Sequence, residues 1–312
     1  MSYWRYVLLV LAGAVSYGVL SIIMKAAFQA GFTPKELSAS QLLFGGLIMS
    51  AVAFFISKER FRWRYVILLL PVSIMMASTS FFYHQAVNSL SASLAIVLLF
   101  QFTWIGVLIE SVADRTWPTP EKWASLVLLA IGTVFASGLD TSSLKSVSLF
   151  GLGAGLLSGA TFAAVIFFSG RIKPGMNPYL RSAISISLAA LLLSLVYPPA
   201  FLVNGRIWEG LLPYALLVGC FGSVIPILCL AIGVPRLGNG LATILSAAEL
   251  PTVVLLSSFV LHEQVTAAQW AGVCIILMAI IVPQIKRKPA RRAADHPSGQ
   301  KHLRKIPPSA NM

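Results

Sequence analysis

Residues 241–283 read LATILSAAELPTVVLLSSFVLHEQVTAAQWAGVCIILMAIIVP. Leu241 to Leu261 is an apolar run, and Ala267 to Val282 is a second; a membrane-spanning helix needs about 20 such residues. The hinge between them, His262-Glu263-Gln264-Val265-Thr266, is so short that the two helices must pack antiparallel. Glu249 falls near the middle of the first run, two residues before Pro251. A charge there costs about 2.5–3.5 kcal/mol on insertion scales, so it faces the protein interior and is a functional candidate. Pro251 removes a backbone hydrogen bond beside it.

The pattern occurs twice. Shifting the chain by 147 residues lays Leu94–Ala124 on Leu241–Ala271 without a gap. Trp123 meets Trp270, each at the start of a helix after a polar turn, whereas Glu249 meets Phe102. The carboxylate therefore belongs to one half only.

Working outward, hydrophobic residues make up 57% of the 312 and charged residues 11%. The mean hydropathy is +0.84. Soluble chains carry about 25% charged residues, so this is an integral membrane protein, and its long apolar runs exclude a barrel of short alternating strands. Ten spans are expected, at about 5–28, 36–57, 65–87, 91–112, 120–138, 148–170, 179–203, 210–233, 239–261 and 267–285. The fold class is thus all-α, with ten transmembrane helices in two inverted five-helix repeats, because an odd number of helices brings the second half in from the opposite side. The first repeat covers 1–140 and the second 146–285. Residues 286–312 form a basic cytoplasmic tail without apolar periodicity, expected to be disordered.

Charge sets the orientation. Lys58, Arg60, Arg62, Arg64, Arg115, Lys122, Arg171, Lys173, Arg181 and Arg236 all fall on one side, and only Lys35, Lys145 and Arg206 on the other. The positive-inside rule then places both termini in the cytoplasm of a multi-pass protein of the plasma (inner) membrane. Trp4, Trp63, Trp117, Trp123, Trp208 and Trp270 lie near span ends, as an aromatic belt requires. The net charge of +13 is mostly this topology. The tail reads as a stop signal or a contact for anionic lipid, and nothing supports nucleic-acid binding. Cys220, Cys229 and Cys274 fall inside spans and read as small apolar residues, not as metal ligands or disulfides.

No catalytic motif, metal-ligand cluster or cofactor fingerprint is present, so no enzyme activity and no cofactor are expected. The polar and aromatic groups near mid-depth are instead those of a solute path: Tyr17, Gln41, Ser78, Gln101, Trp104, Phe162, Ser246 and Glu249. Gln101 and Trp104 share a face of the fourth span with Val97, Leu108 and Ser111, and Ser246 and Glu249 share one with Thr252. Glu249 is the candidate for coupling, able to carry a proton or to pair with a substrate ammonium. Gly151, Gly155 and Gly159 line one face of the sixth span and permit close helix contact.

Glu249-Leu250-Pro251, with Leu261-His262-Glu263-Gln264-Val265-Thr266-Ala267-Ala268-Gln269-Trp270-Ala271-Gly272, resembles the drug/metabolite transporter superfamily in its EamA-type branch. The likeness covers about residues 5–285, with Tyr17-Gly18 where that family has Trp-Gly and Gln41 where it has an arginine. It implies ten helices in two inverted halves around a central cavity, and transport of small organic metabolites, often export. The resulting expectation is a secondary transporter of a small-molecule substrate in the lipid bilayer, monomeric or homodimeric, with proton coupling as one role of Glu249. An amino acid or derivative is the leading substrate. Efflux of cationic drugs is the alternative, and a membrane sensor, scaffold or lipid-modifying enzyme is the alternative of another class.

Overall fold

The computed structural model describes residues 3–90, 92–137, 148–172, 176–260, 262 and 264–285. The proposed boundary between the halves at 140–146, Glu263 and the tail from 286 lie outside these residues.

Thirteen α-helices occur among the described residues: α1 Tyr3–Gln29, α2 Pro34–Ile56, α3 Trp63–Ser89, α4 Ala92–Leu99, α5 Phe102–Asp114, α6 Pro120–Ala136, α7 Leu149–Arg171, α8 Pro178–Val196, α9 Leu212–Gly219, α10 Ile225–Leu237, α11 Asn239–Ser246, α12 Glu249–Val260 and α13 Ala267–Ile285. Several of them join end to end, as 94–114, 207–237 and 239–260. Counted so, eight stretches are long and apolar enough to cross a membrane, with Ala267–Pro283 as a shorter apolar helix. The chain is an all-helical membrane protein. Trp63, Trp117 and Trp208 are exposed at or just beyond helix ends, where a membrane interface would meet them.

Caps set several boundaries. Thr33 and Glu36 form a reciprocal capping box ahead of α2, and Pro34 stands at its first turn. The Thr266 N–H donates to Gln269 Oε1 (2.9 Å), and the Gln269 N–H donates to Thr266 Oγ1, so this pair caps α13. The seventh span stops at Val196 rather than near 203. Pro198 and Pro199 follow, and a helix cannot continue through them.

The fourth and ninth spans are not continuous. In the ninth, Pro251 has no N–H for the Ala247 carbonyl, and the Leu250 N–H reaches back to it in a tighter turn (3.3 Å). In the fourth, the Gln101 N–H turns to the Leu98 carbonyl, which leaves the Val97 carbonyl to the Gln101 side chain (2.8 Å). The two interruptions, at Phe100–Gln101 and Ala247–Ala248, are separated by the same 147 residues that relate the two halves in sequence.

Packing is regular. The helix pair α1/α10 has a counterpart in α7/α3, and the contact of α1 with α11 and α12 has one in α7 with α4 and α5. The pairs α2/α8, α6/α13 and α5/α11 complete the bundle. The glycine stripe of α7 packs at Gly151 on Ser89 and Leu90, where α3 ends, and at Gly155 and Gly159 on the fourth span: a Cβ on Gly159 would lie 2.8 Å from the Leu99 carbonyl oxygen and 2.9 Å from that of Leu98. Only glycine lets α7 approach the interrupted turn so closely.

Candidate functional site

Pro226 opens the site. Having no N–H, it offers nothing to the Gly222 carbonyl one turn earlier. The Ile225 N–H bonds instead to Cys220, so Cys220–Val224 forms a π-type turn and the Phe221 carbonyl also loses its helical partner. Side chains from the first half replace both. Ser16 Oγ donates to the Phe221 carbonyl (2.7 Å), and Gln41 Nε2 donates to the Gly222 carbonyl (3.0 Å). Ser223 Oγ returns a bond to the Gln41 carbonyl.

Beside this turn lies a cavity of about 140 Å³ between α1, α2, α3, α7, the π-type turn and the start of α12. Tyr17, Gln41, Phe162 and Glu249 line it, together with Thr79, Ser80 and Tyr83. It extends from mid-depth past Ser21, Met24 and Ser38 toward the end of the bundle where α1 stops and α2 begins. The wall is aromatic around its polar groups: Tyr17 meets Phe162 edge-on at 5.8 Å, and Phe162 meets Phe102 at 4.8 Å. Thr79 Oγ1 lies within hydrogen-bond distance of both the Met75 carbonyl (2.8 Å) and Thr161 Oγ1 (2.9 Å), which ties α3 to α7 beside the cavity.

Glu249 enters this wall because the ninth span is interrupted just before it: it is the first residue of α12. Gly18 holds α1 against that point, since a Cβ there would lie 3.1 Å from the Glu249 carbonyl oxygen and 2.5 Å from Thr252 Cβ. Glu249 is the one charged residue on the cavity wall among the described residues. A carboxyl in an aromatic, partly enclosed cavity can exchange a proton or pair with an ammonium group.

The cavity therefore gathers Tyr17, Gln41, Phe162 and Glu249 of the eight expected residues. The other four lie elsewhere. Gln101 and Trp104 mend the interruption of the fourth span: Gln101 Nε2 serves Val97, and Trp104 Nε1 donates to Gln101 Oε1 (2.7 Å). Trp104 is 41% exposed on the outside of the bundle. Val97, Gln101 and Trp104 do keep a common face, joined by these two bonds, but Gln101 and Trp104 are not on the cavity wall. Ser246 is buried, with Oγ bonded to the Ala242 carbonyl (2.9 Å). Ser78 is off the wall, where its neighbours Thr79 and Ser80 stand. Sequence reasoning missed Tyr83; its depth in α3 was the available signal.

At the opposite end, polar contacts draw the two halves together. Arg171 pairs with Asp114. Glu59, in the loop between α2 and α3, accepts from the Tyr65 hydroxyl and from the Asn177 N–H (2.7 Å). Those two donors, Tyr65 first, hold its carboxyl below the usual range.

An all-helical membrane bundle with a polar-lined cavity between its helices is the build of a membrane transporter. The EamA-like transporter family model matches the chain twice, over residues 4–138 and 149–282, and the chain belongs to that family. It is 24% identical over 283 residues to the "Uncharacterized transporter YwfM" of Bacillus subtilis (strain 168), covering 89% of this chain and 93% of that one. A solved chain described only as "Crystal structure of protein" has the same fold, with a TM-score of 0.74 at 16% identity, over 90% of this chain and 97% of that chain.

Proposed function

We propose that this chain is a secondary transporter that moves a small organic solute bearing an ammonium group, an amine or an amino-acid derivative, by alternating access at the Glu249 cavity. The single observation behind the substrate class is that the cavity's one wall charge is a carboxylate set among aromatic rings. A cationic group gains both an ion pair and aromatic faces there. A solute with only a carboxylate would find no cation. Tyr17, Gln41, Phe162 and Tyr83 complete the path.

The doubled family match, the matched interruptions and the paired helix contacts support ten helices in two inverted halves, 1–140 and 146–285. Such halves rock about a midplane site. The charge asymmetry supports cytoplasmic termini in the plasma membrane, which turns the cavity outward, and export is the direction that family resemblance favours. Glu249 then serves as the coupling group, taking a proton when the solute leaves.

Glu249→Gln preserves shape. In proteoliposomes it is expected to fold and to lose concentrative transport of amines found by a thermal-stability screen. If Glu249 only couples protons, solute-for-solute exchange survives without pH dependence; if it binds the ammonium, exchange and binding vanish together. Normal pH-dependent uptake by the variant would make the residue structural.

A further inference from the structure

A second groove, of about 680 Å³, opens on the flank of the bundle between α2, the start of α3 and α8, and shares no lining residue with the central cavity. Along the helices its walls are mostly apolar, with Phe54, Val66, Ile184 and Leu188; the Ser50 and Ser187 hydroxyls there bond to each other (3.1 Å). At one end stand Lys58 and Arg60, on the loop after α2. Glu59 sits between them, but both its oxygens are already engaged, by the Tyr65 hydroxyl and the Asn177 N–H. Arg62 and Arg64 follow in sequence, so the loop at this end carries four cations to the one Glu59 carboxylate. Trp63, 78% exposed and edge-on to Phe61 at 5.5 Å, marks the depth of a membrane interface beside it.

We propose that this groove binds an anionic phospholipid, one acyl chain lying between α2 and α8 and the phosphate resting on Lys58 and Arg60. The match is of shape and charge together. A hydrocarbon chain suits the apolar length, and a phosphate suits two cations whose intervening carboxylate is held by other donors. A neutral lipid would leave the cationic end unmet, and the basic tail of the chain would be repelled from it.

The test is native mass spectrometry of the purified full-length protein with an equimolar mixture of dioleoyl phosphatidylglycerol and dioleoyl phosphatidylcholine. The protein is expected to retain phosphatidylglycerol preferentially. The Lys58→Gln/Arg60→Gln double variant is expected to bind it roughly 25-fold more weakly, at about 1 kcal/mol per basic residue near an anionic surface and about 1.4 kcal/mol per tenfold. Arg291→Gln/Arg292→Gln, which removes charge from the tail, is expected to keep the full preference. Leu188→Trp fills the groove and is expected to lose the adduct while keeping its monodisperse elution. Equal retention of both lipids overturns the proposal, as does a preference that persists in the Lys58/Arg60 variant. Retention of the lipid by Leu188→Trp together with a changed oligomeric state assigns the groove to a second copy of the chain, and also overturns it.

Discussion

Ser16 and Gln41 each spend their side chain on a carbonyl that Pro226 leaves without an N–H. That makes Gln41 a brace between halves as well as a wall of the cavity. Gln41→Leu would leave the Gly222 carbonyl unmet, at a cost of about 1–3 kcal/mol, and is expected to lower the melting temperature in detergent; an unchanged melting temperature would show that solvent in the cavity replaces the amide. Glu59 gives a pH signature. Its folded carboxyl titrates below the unfolded value of about 4.3, so its contribution is complete above that value and is lost as pH falls through the lower folded one. The wild-type melting temperature is expected to exceed that of Glu59→Gln at pH 6, with the gap closing below about pH 4. The amide of Gln41 was legible in the sequence as a buried polar group near mid-depth. Its partner, 181 residues away, was not, because nothing local connects a proline in one half to a glutamine in the other.

Helix interruptions are the features that position Glu249. Pro251 signals the one in the ninth span. No proline or glycine marks Phe100–Gln101, which is why the fourth span reads as continuous; Gln101 and Trp104 spend their polar groups on that turn and stand off the cavity wall. The spacing of Gly151, Gly155 and Gly159 was legible as a contact stripe, and α7 does press it against the end of α3 and the fourth span. Gly159→Ala would force a methyl against two carbonyl oxygens, and is expected to destabilise the protein by about 1–3 kcal/mol. Gly153 has open space around its Cβ position inside α7, so Gly153→Ala is expected to leave the protein as stable or to gain up to about 1 kcal/mol from helix propensity. Equal effects in a thermal-unfolding comparison of the two variants would contradict the packing.

Across the whole molecule, composition made the membrane and the helices legible. The cavity was harder to read, since it depends on where interrupted helices turn their side chains. Orientation rests on charge alone. Reporter tags at 58–64 and at the carboxy terminus are expected on the cytoplasmic side, and one at 140–145 on the other. Tags that place the two chain ends on opposite faces would remove the five-plus-five arrangement.

The lone wall carboxylate also fixes how such a carrier would respond to voltage. With a monocation bound, the centre carries no net charge, and with a proton bound it carries none either. Both the loaded and the returning carrier then cross the field electroneutrally, although moving one uncompensated charge would be worth about 2.3 kcal/mol per 100 mV. Exchange of one proton for one cation would pass no current, and the membrane potential could neither drive nor stall it. The pH gradient alone would set how steeply the solute is concentrated.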